Sequence, residues 1–425
     1  MSIFINFIPI LLFVSIFFGS GIYFSLQGVE RAFYQVPPTS AILPSIIIAW
    51  SLHKKDTQTT MNSFLEGARN PDIMTMCIIF LLAGALSTVT KSIGSVQSTV
   101  NFVLAITPEN FILVGVFITG ALISTAIGTS MGTIAALAGL VTELGLKGAY
   151  PLELGAATLI GGAMFGDNMS VISDTTIAAV SSQKANLKEK LKLNIKIALV
   201  ASVITIVLLS FVNSTNLDIV DHEYSLLLLL PYILLIALAA IGINVFIVLI
   251  SALIFSGLIG IFQYDYSLLA FAKDLYKGFS DMNEIFFLSI LVGDLSGLSN
   301  RNSQELAEKI SELLPLNAAK KSAALVIAAS VSLFNILLAN NVIAIIFSGE
   351  TAKAIAQKYG IKPHESATWL DIFSCVIQGI IPYGAQMLLI CAVANTSPLA
   401  VVGKVYYCYI LAGVTIIYIF AQKNK

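Results

Sequence analysis

The stretch Gly161-Gly-Ala-Met-Phe-Gly-Asp-Asn-Met-Ser-Val-Ile-Ser-Asp-Thr-Thr176 places two carboxylates inside an otherwise apolar segment of membrane-spanning length. A carboxylate at bilayer depth costs on the order of 3 kcal/mol even on the most lenient scale, so Asp167 and Asp174 need a cation, a proton or buried water as a partner. The run also supplies amide and hydroxyl oxygens, from Asn168, Ser170, Ser173, Thr175 and Thr176. Hard cations such as sodium bind mixed carboxylate, carbonyl and hydroxyl oxygens. The run therefore favours ion binding over its simpler interpretation, a helix end capped at the membrane interface.

The composition of the chain is that of a membrane protein. Of its 425 residues, 57% are hydrophobic and only 11% are charged, against roughly 25% charged residues in soluble domains. Apolar runs of spanning length recur along the whole chain, which predicts one integral membrane domain over residues 1–425. The first run, residues 3–26, lacks a basic leader and a cleavage site, so we expect it to be retained. The net charge of -1 gives no indication of a nucleic-acid partner.

The distribution of charge predicts the orientation in a cell inner membrane. Basic residues cluster in the loop 53–72, and again in the stretch that carries Lys184, Lys188, Lys190, Lys192 and Lys196. Both regions should face the cytoplasm, whereas the acidic segment 213–224 should lie outside. Counting spans from these anchors places both termini in the cytoplasm.

Weak similarity between the two halves predicts an internal repeat with an offset of about 210 residues. The segment Phe64-Leu-Glu-Gly67, followed by Leu-Ala-Gly84, resembles Leu275-Tyr-Lys-Gly278, followed by Leu-Val-Gly293. We expect repeat one to cover about residues 54–213 and repeat two about residues 265–422. The charge rule places corresponding loops on opposite sides of the membrane, so the repeats should be inverted, an arrangement that recurs in secondary transporters.

Apolar segments in both halves are interrupted by polar residues. Residues 111–146 and 322–359 are each too long for one span, and parity of the crossings predicts a re-entrant hairpin for each. Residues 152–180 and 369–399 are then expected to be broken helices. The predicted fold is an all-α polytopic membrane protein of inverted repeats, with about ten crossings, two re-entrant hairpins and broken helices at the centre. Irregular backbone at membrane depth is tolerated only inside protein or beside a wet cavity, so the four interruptions should meet at one site.

The remaining interruptions supply further candidate ligands. Gly128-Thr-Ser-Met-Gly-Thr133, at the first hairpin tip, offers Thr129, Ser130 and Thr133, although small residues also serve close helix packing. Asn340 and Asn341 occupy the second tip. In the second broken helix a proline kink is an alternative to ligand binding by the residues that follow it, Tyr383 and Gln386.

Other charged residues are candidates for interfacial or surface positions rather than for the ion site. Asp294 could transfer protons or be a solvated partner of Arg301, and Glu153 and Asp371 are expected to be interfacial. Residues 267–281 and 303–314 are predicted to form amphipathic surface helices. The sequence contains no P-loop, zinc-protease or nucleophile-elbow motif, so we do not expect an enzyme or a cofactor.

The two glycine-rich segments, Gly162-Ala-Met-Phe-Gly-Asp-Asn-Met-Ser-Val-Ile-Ser-Asp-Thr-Thr176 and Gly128-Thr-Ser-Met-Gly-Thr133, resemble the signatures of the NhaC-type sodium/proton antiporter family, within the ion transporter superfamily. The resemblance implies exchange of sodium for protons or, in some relatives, transport of small organic acids or amino acids. The family often has proline where this chain has Val171.

These observations favour a sodium/proton antiporter that works by alternating access. Asp167 and Asp174, with Asn168, would bind sodium as the transported or coupling ion, and protons would compete for the same carboxylates. The alternative is a coupled carrier of a small amino or carboxylic acid, bound by Asn340, Asn341, Tyr383 and Gln386. An ion channel is a further class, distinguished by its lack of coupled counterflow. The expected partners are small ions and the lipid bilayer, with a homodimer as one option for assembly.

Overall fold

A computed structural model describes residues 8–27, 29, 35–52, 56–171, 173–212, 223–299 and 320–421. The described residues form helices and no strands, in agreement with the predicted all-α class. In chain order the helices are α1 Ile8–Leu26, α2 Pro38–Ala41, α3 Leu43–Leu52, α4 Thr57–Ala68, α5 Pro71–Ser92, α6 Ser95–Ile106, α7 Ile112–Ile127, α8 Ser130–Leu146, α9 Leu152–Met169, α10 Asp174–Gln183, α11 Leu187–Ser210, α12 Leu226–Ala240, α13 Val245–Gln263, α14 Leu268–Asp281, α15 Asn283–Ser299, α16 Lys320–Leu338, α17 Asn341–Lys358, α18 Pro363–Ile380, α19 Ala385–Ala394, α20 Pro398–Val402 and α21 Tyr406–Ala421. A one-turn 3-10 helix, Glu109–Phe111, precedes α7.

Length and apolar composition make the chain a multi-pass membrane protein. In the described part, five segments are long and apolar enough to cross a bilayer: Ile73–Ser92, Leu187–Ser210, Val245–Gln263, Lys320–Leu338 and Pro363–Ala394. Shorter apolar helices pack among them. Large apolar side chains are exposed on the outer helices, for example Val203 in α11 and Ile254 in α13. Exposed apolar surface of this kind is expected where lipid, rather than water, is the solvent.

The predicted interruptions of the helices are present, with one boundary shifted. The turn between α7 and α8 is only Gly128 and Thr129, and Gly128 adopts φ 82°, a left-handed conformation that glycine adopts without strain. The matching turn between α16 and α17 uses Ala339, at φ 51°, and Asn340. The sequence predicts an interruption at Pro382-Tyr-Gly-Ala-Gln386, and the break between α18 and α19, at residues 381–384, overlaps it. In the first broken helix the sequence predicts unwinding at Gly166-Asp-Asn-Met-Ser170, but α9 continues through Met169, so that expectation is wrong.

Glycines allow two pairs of helices to cross at backbone contact. α4 packs on α15, and α5 packs on α14. A Cβ atom added to Gly67 would lie 2.0 Å from the carbonyl oxygen of Gly293, and one added to Gly84 would lie 2.3 Å from that of Gly278. Close approach of this kind is a common way for helices to pack in a membrane, where dispersion contacts replace the hydrophobic effect. Helix α14 is the amphipathic helix predicted at residues 267–281; the one predicted at 303–314 lies outside the described residues.

Candidate ion-binding site

The four helix interruptions meet around one small cavity of about 80 Å³. Nine of the predicted ligand residues line it: Thr129, Ser130, Asp167, Ser173, Asp174, Thr175, Asn340, Asn341 and Gln386. Thr75, Met76 and Ile79 of α5 close another side, with Gly128, Met131 and Val342. A volume of this size holds an ion and a few waters.

Two carboxylates reach this cavity from the first broken helix. Asp167 lies in the last turn of α9, is 3% exposed, and accepts a 2.7 Å hydrogen bond from the backbone N–H of Ser130. Ser130 is the first residue of α8, so the carboxylate sits at the positive end of that helix and satisfies one of its free N–H groups. Asp174 is the first residue of α10 and is exposed. The cavity is therefore lined by one buried and one exposed carboxyl group.

Amides from the second half of the chain complete the cavity wall. Gln386 donates from Nε2 to the Ser130 hydroxyl at 3.2 Å, and its Oε1 accepts from Gln378 Nε2 at 2.8 Å. Gln378 also donates to the carbonyl oxygen of Ala339 at 3.3 Å, at the turn before α17. Asn340 caps α17 by accepting from the N–H of Ile343. This amide chain joins the second hairpin and the second broken helix to the Ser130 end of α8.

A fully buried ion pair lies close to the small cavity. Lys190 Nζ lies 2.7 Å from Asp371 Oδ2, and both side chains have no exposed surface. Lys190 also donates to the Thr176 hydroxyl at 2.7 Å and to the Asn168 carbonyl at 3.5 Å. Asn194 donates to the same Asp371 oxygen at 2.8 Å and to the Asn168 carbonyl at 2.9 Å. The Asn168 carbonyl oxygen at the end of α9 thus accepts hydrogen bonds from the Lys190 ammonium group and from the Asn194 amide.

Two sequence-based expectations are wrong at this pair. Lys190 was expected on the cytoplasmic surface, and Asp371 at the interface, but both are interior residues. The signal that could have located Lys190 is helical spacing: Lys190, Asn194 and Ala201 share the buried face of α11, whereas Lys188 lies on the exposed face. Loop charge alone cannot separate these two faces.

Five predicted ligands lie outside the small cavity. Thr133 is buried within α8 and donates to the carbonyl of Thr129 at 3.0 Å. Asn168 donates to the carbonyl of Met164 at 2.9 Å, within its own helix. Ser170, at the end of α9, is buried, and Thr176 holds Lys190. Tyr383 donates to the carbonyl of Ile336 and lines a second, larger space.

The second space, which we call the chamber, has a volume of about 470 Å³ and lies between α4, α15, α17 and the α18–α19 break. Its polar lining is Ser63, Glu66, Asn70, Ser289, Asn340 and Tyr383. Asn340 and Met76 line both the chamber and the small cavity, so the two spaces adjoin.

Asp294 is buried rather than solvated. It is 3% exposed, and it accepts a 3.1 Å hydrogen bond from the backbone N–H of Ala68 at the end of α4. Of the two alternatives for Asp294, the solvated interfacial carboxylate is therefore wrong, and proton transfer stays untested; its suggested partner Arg301 lies outside the described residues. Glu153, by contrast, is partly exposed and pairs with Lys404 at 3.2 Å.

Comparison with known proteins gives a family match to the first half of the chain. Residues 2–214 match the model of the Na+/H+ antiporter family. The chain is 24% identical over 394 residues to the Na(+)/H(+) antiporter NhaC of Bacillus subtilis, an alignment that covers 84% of this chain and 86% of that protein. It is 27% identical over 214 residues to the malate-2H(+)/Na(+)-lactate antiporter of the same organism, covering 48% of this chain and 45% of that protein. Among solved structures, the Alcanivorax borkumensis YdaH transporter aligns over 97% of each chain with 14% identity and a TM-score of 0.45.

Proposed function

The chain belongs to the Na+/H+ antiporter family, and we propose that it exchanges sodium for protons at the small cavity that contains Asp167 and Asp174. The observation that carries this proposal is the convergence of four helix interruptions on a space sized for an ion. Sodium would bind the ionised carboxylates together with hydroxyl and amide oxygens from Thr129, Ser130 and Asn340. A proton would neutralise the same carboxylates when sodium leaves.

Charge in the buried region supports this competition. Asp167 and Asp371 are buried acids, and Lys190 supplies one positive charge. Lys190 pairs with Asp371 and donates to the Thr176 hydroxyl and the Asn168 carbonyl. Asp167 therefore has no basic partner among the described residues that line the cavity. An uncompensated buried charge is costly, so either sodium or a proton at Asp167 stabilises the protein. Two ions that relieve the same charge exclude each other without a covalent step.

The register of the two halves supports a finer description of the architecture. Helices α7 and α16 end at Ile127 and Leu338, 211 residues apart, and α9 and α18 end at Met169 and Ile380 with the same offset. A hydrogen bond from the Ser124 hydroxyl to the Ala163 carbonyl also has its counterpart 211 residues on, from Asn335 to Ser374. We infer that residues 54–213 and 265–422 are two repeats. Gly67 corresponds to Gly278 at this offset, and Gly84 aligns with Gly293 at an offset of 209 residues, so the two glycine contacts would exchange under a two-fold axis.

Under this inference the repeats contribute unequally to the site. Asp167 of repeat one corresponds to Gln378 of repeat two, and Asp174 corresponds to Ala385, because the offset is 211 residues. Negative charge would come from repeat one alone, and repeat two would supply amides. We propose the inverted arrangement, with about ten crossings, two re-entrant hairpins and both termini in the cytoplasm. The assembly of two copies of this chain into a homodimer remains a prediction.

Transport of a small organic acid is the second candidate function. It is favoured by the partial similarity to the malate and lactate antiporter. The chamber is large enough for such a molecule, since its volume falls within the usual range for ligand pockets, but its described lining contains no Lys, Arg or His that would bind a carboxylate.

Transport in proteoliposomes decides between the two functions. The purified protein is reconstituted with imposed sodium and proton gradients, with and without malate, lactate and a panel of amino acids. We expect sodium to drive proton counterflow with no organic molecule present. Sodium-driven uptake only in the presence of one of these acids, with no sodium-proton exchange alone, would contradict the proposal and support the carrier.

A further inference from the structure

The chamber is unlike the small cavity in charge and in composition. Its walls carry apolar side chains, together with Ser63, Asn70 and Ser289. Glu66 is the single carboxylate among its described lining residues, and none of these is Lys, Arg or His. Glu66 is exposed on α4, so its carboxylate reaches water beside the chamber.

A second carboxylate lies directly behind this wall. Gly67 packs against the backbone of Gly293 and Asp294, and the Asp294 carboxylate accepts from Ala68 next to Gly67. Because Gly67 and Gly293 have no side chains, little material separates this buried carboxylate from the chamber. Glu66 and Asp294 both place carboxyl groups beside the chamber, whereas Arg69, exposed at the end of α4, does not line it. Low-dielectric walls focus the field of charges that lie next to such a space.

One part of the chamber wall is shared with the ion cavity. Asn340 and Met76 line both spaces, and Ala339 at the second hairpin tip lines the chamber. A cation in the chamber is therefore next to Asn340, which also lines the cavity of Asp167 and Asp174.

We propose that the chamber is a cation-selective vestibule through which small inorganic cations reach the carboxylate cavity, and that Glu66 is the residue that determines this selectivity. The proposal rests on the sodium/proton exchange proposed above. It also identifies the substrate class that the route admits, because a negative chamber without basic residues repels organic anions such as malate or lactate. Glu66 raises the local cation concentration and is not itself a ligand in the transport site.

Thiol labelling tests the selectivity independently of transport. Val292 is partly buried and lines the chamber, so Val292→Cys places a thiol there. The purified protein in detergent is treated with a trimethylammonium or a sulfonate methanethiosulfonate of similar size, and wild type, whose four cysteines are buried, supplies the background. We divide the rate with the cationic reagent by the rate with the sulfonate reagent and compare this rate ratio with that of a free thiol in solution. The rate ratio at Val292→Cys should be the larger of the two. Glu66→Gln should reduce this ratio on the order of fivefold.

The matched control is Glu350→Gln, which removes an exposed carboxylate that lines neither space. It should leave the rate ratio unchanged. A ratio that Glu66→Gln does not alter, or a sulfonate reagent that reacts as readily as it does with a free thiol, would overturn the proposal.

Transport provides a second readout. Glu66→Gln should raise the apparent KM for sodium at low ionic strength while the maximal rate is retained, and the difference should shrink at high ionic strength because salt screens the carboxylate. A lower maximal rate with an unchanged KM would assign Glu66 a structural role and contradict the proposal. If the wild-type protein does not exchange sodium for protons, the proposed function fails, whereas the labelling ratio still decides the charge selectivity of the chamber.

Discussion

At the scale of single residues, the account depends on Asp167, a carboxylate that is 3% exposed and whose resolved partner is a backbone N–H of α8. The sequence located this residue because a carboxylate within an apolar run is costly unless it has a use. It did not locate Lys190 and Asp371, because their pairing depends on which helices pack together. A charge pattern along one chain contains no information on a partner 181 residues away.

We predict that Asp167→Asn removes sodium-dependent transport and lowers sodium affinity by at least roughly tenfold, because the amide keeps the shape but not the charge that attracts the cation. Asp174→Asn should weaken sodium binding less, because Asp174 is exposed and its interaction is screened by water. Isotope binding to the purified variants checks both, with Glu350→Gln as the control. Wild-type affinity in Asp167→Asn would remove the site assignment.

The buried ion pair makes a prediction about stability. Lys190→Met leaves the Asp371 carboxylate buried without its cation, which should cost about 3–5 kcal/mol. Adding Asp371→Asn should restore much of this loss, because the second change removes the unpaired charge. Thermal unfolding in detergent measures both effects. Lys188→Met, two residues earlier on the exposed face, is the control, and equal stability of the two single variants would show that the pair does not stabilise the fold.

At the scale of helices, the positions of breaks were largely predictable and their extent was not. The turns before Ser130 and Asn341 follow from small and amide residues in runs too long for one span. The continuation of α9 through Met169 was missed, because Gly166 favours unwinding in isolation. In the folded protein a Cβ atom added to Gly166 would lie 2.2 Å from Ser124, so this glycine serves close packing on α7.

The glycine contacts between α4, α5, α14 and α15 predict strong sensitivity to added side-chain volume. Gly84→Val should destabilise the protein by about 1–3 kcal/mol, because its Cβ would meet the backbone of Gly278. Gly413→Val in α21 is the matched control, since a Cβ there meets no atom within 4 Å. The melting temperature in detergent checks the pair, and an equal effect of the two changes would contradict the contact.

At the scale of the whole molecule, the orientation in the membrane is a prediction from loop charge. Cysteine at Lys188, which is exposed, should react with a membrane-impermeant reagent only from the cytoplasmic side, and cysteine at Asp221 only from outside. Labelling of intact cells against inverted vesicles measures this. Reaction of both positions from one side would overturn the inverted arrangement of the repeats.

The prediction that four distant interruptions meet at one site depended on the topology of the whole molecule. Thr129, Ser130, Asn340 and Gln386 line one cavity, although up to 257 residues separate them. The sequence could place them at corresponding interruptions, but it could not divide the polar residues between two spaces. Tyr383 faces the chamber and Gln386 the small cavity because α19 begins between them.

The most direct test of the central claim is the pH dependence of the apparent KM for sodium in proteoliposomes. If a proton and sodium compete for Asp167, the KM should rise as the pH falls, approaching tenfold per pH unit below the pKa of the site, while the maximal rate at saturating sodium stays constant. Asp167→Asn should abolish both the transport and its pH dependence. A KM for sodium that does not change with pH, or exchange that persists in Asp167→Asn, would contradict the account.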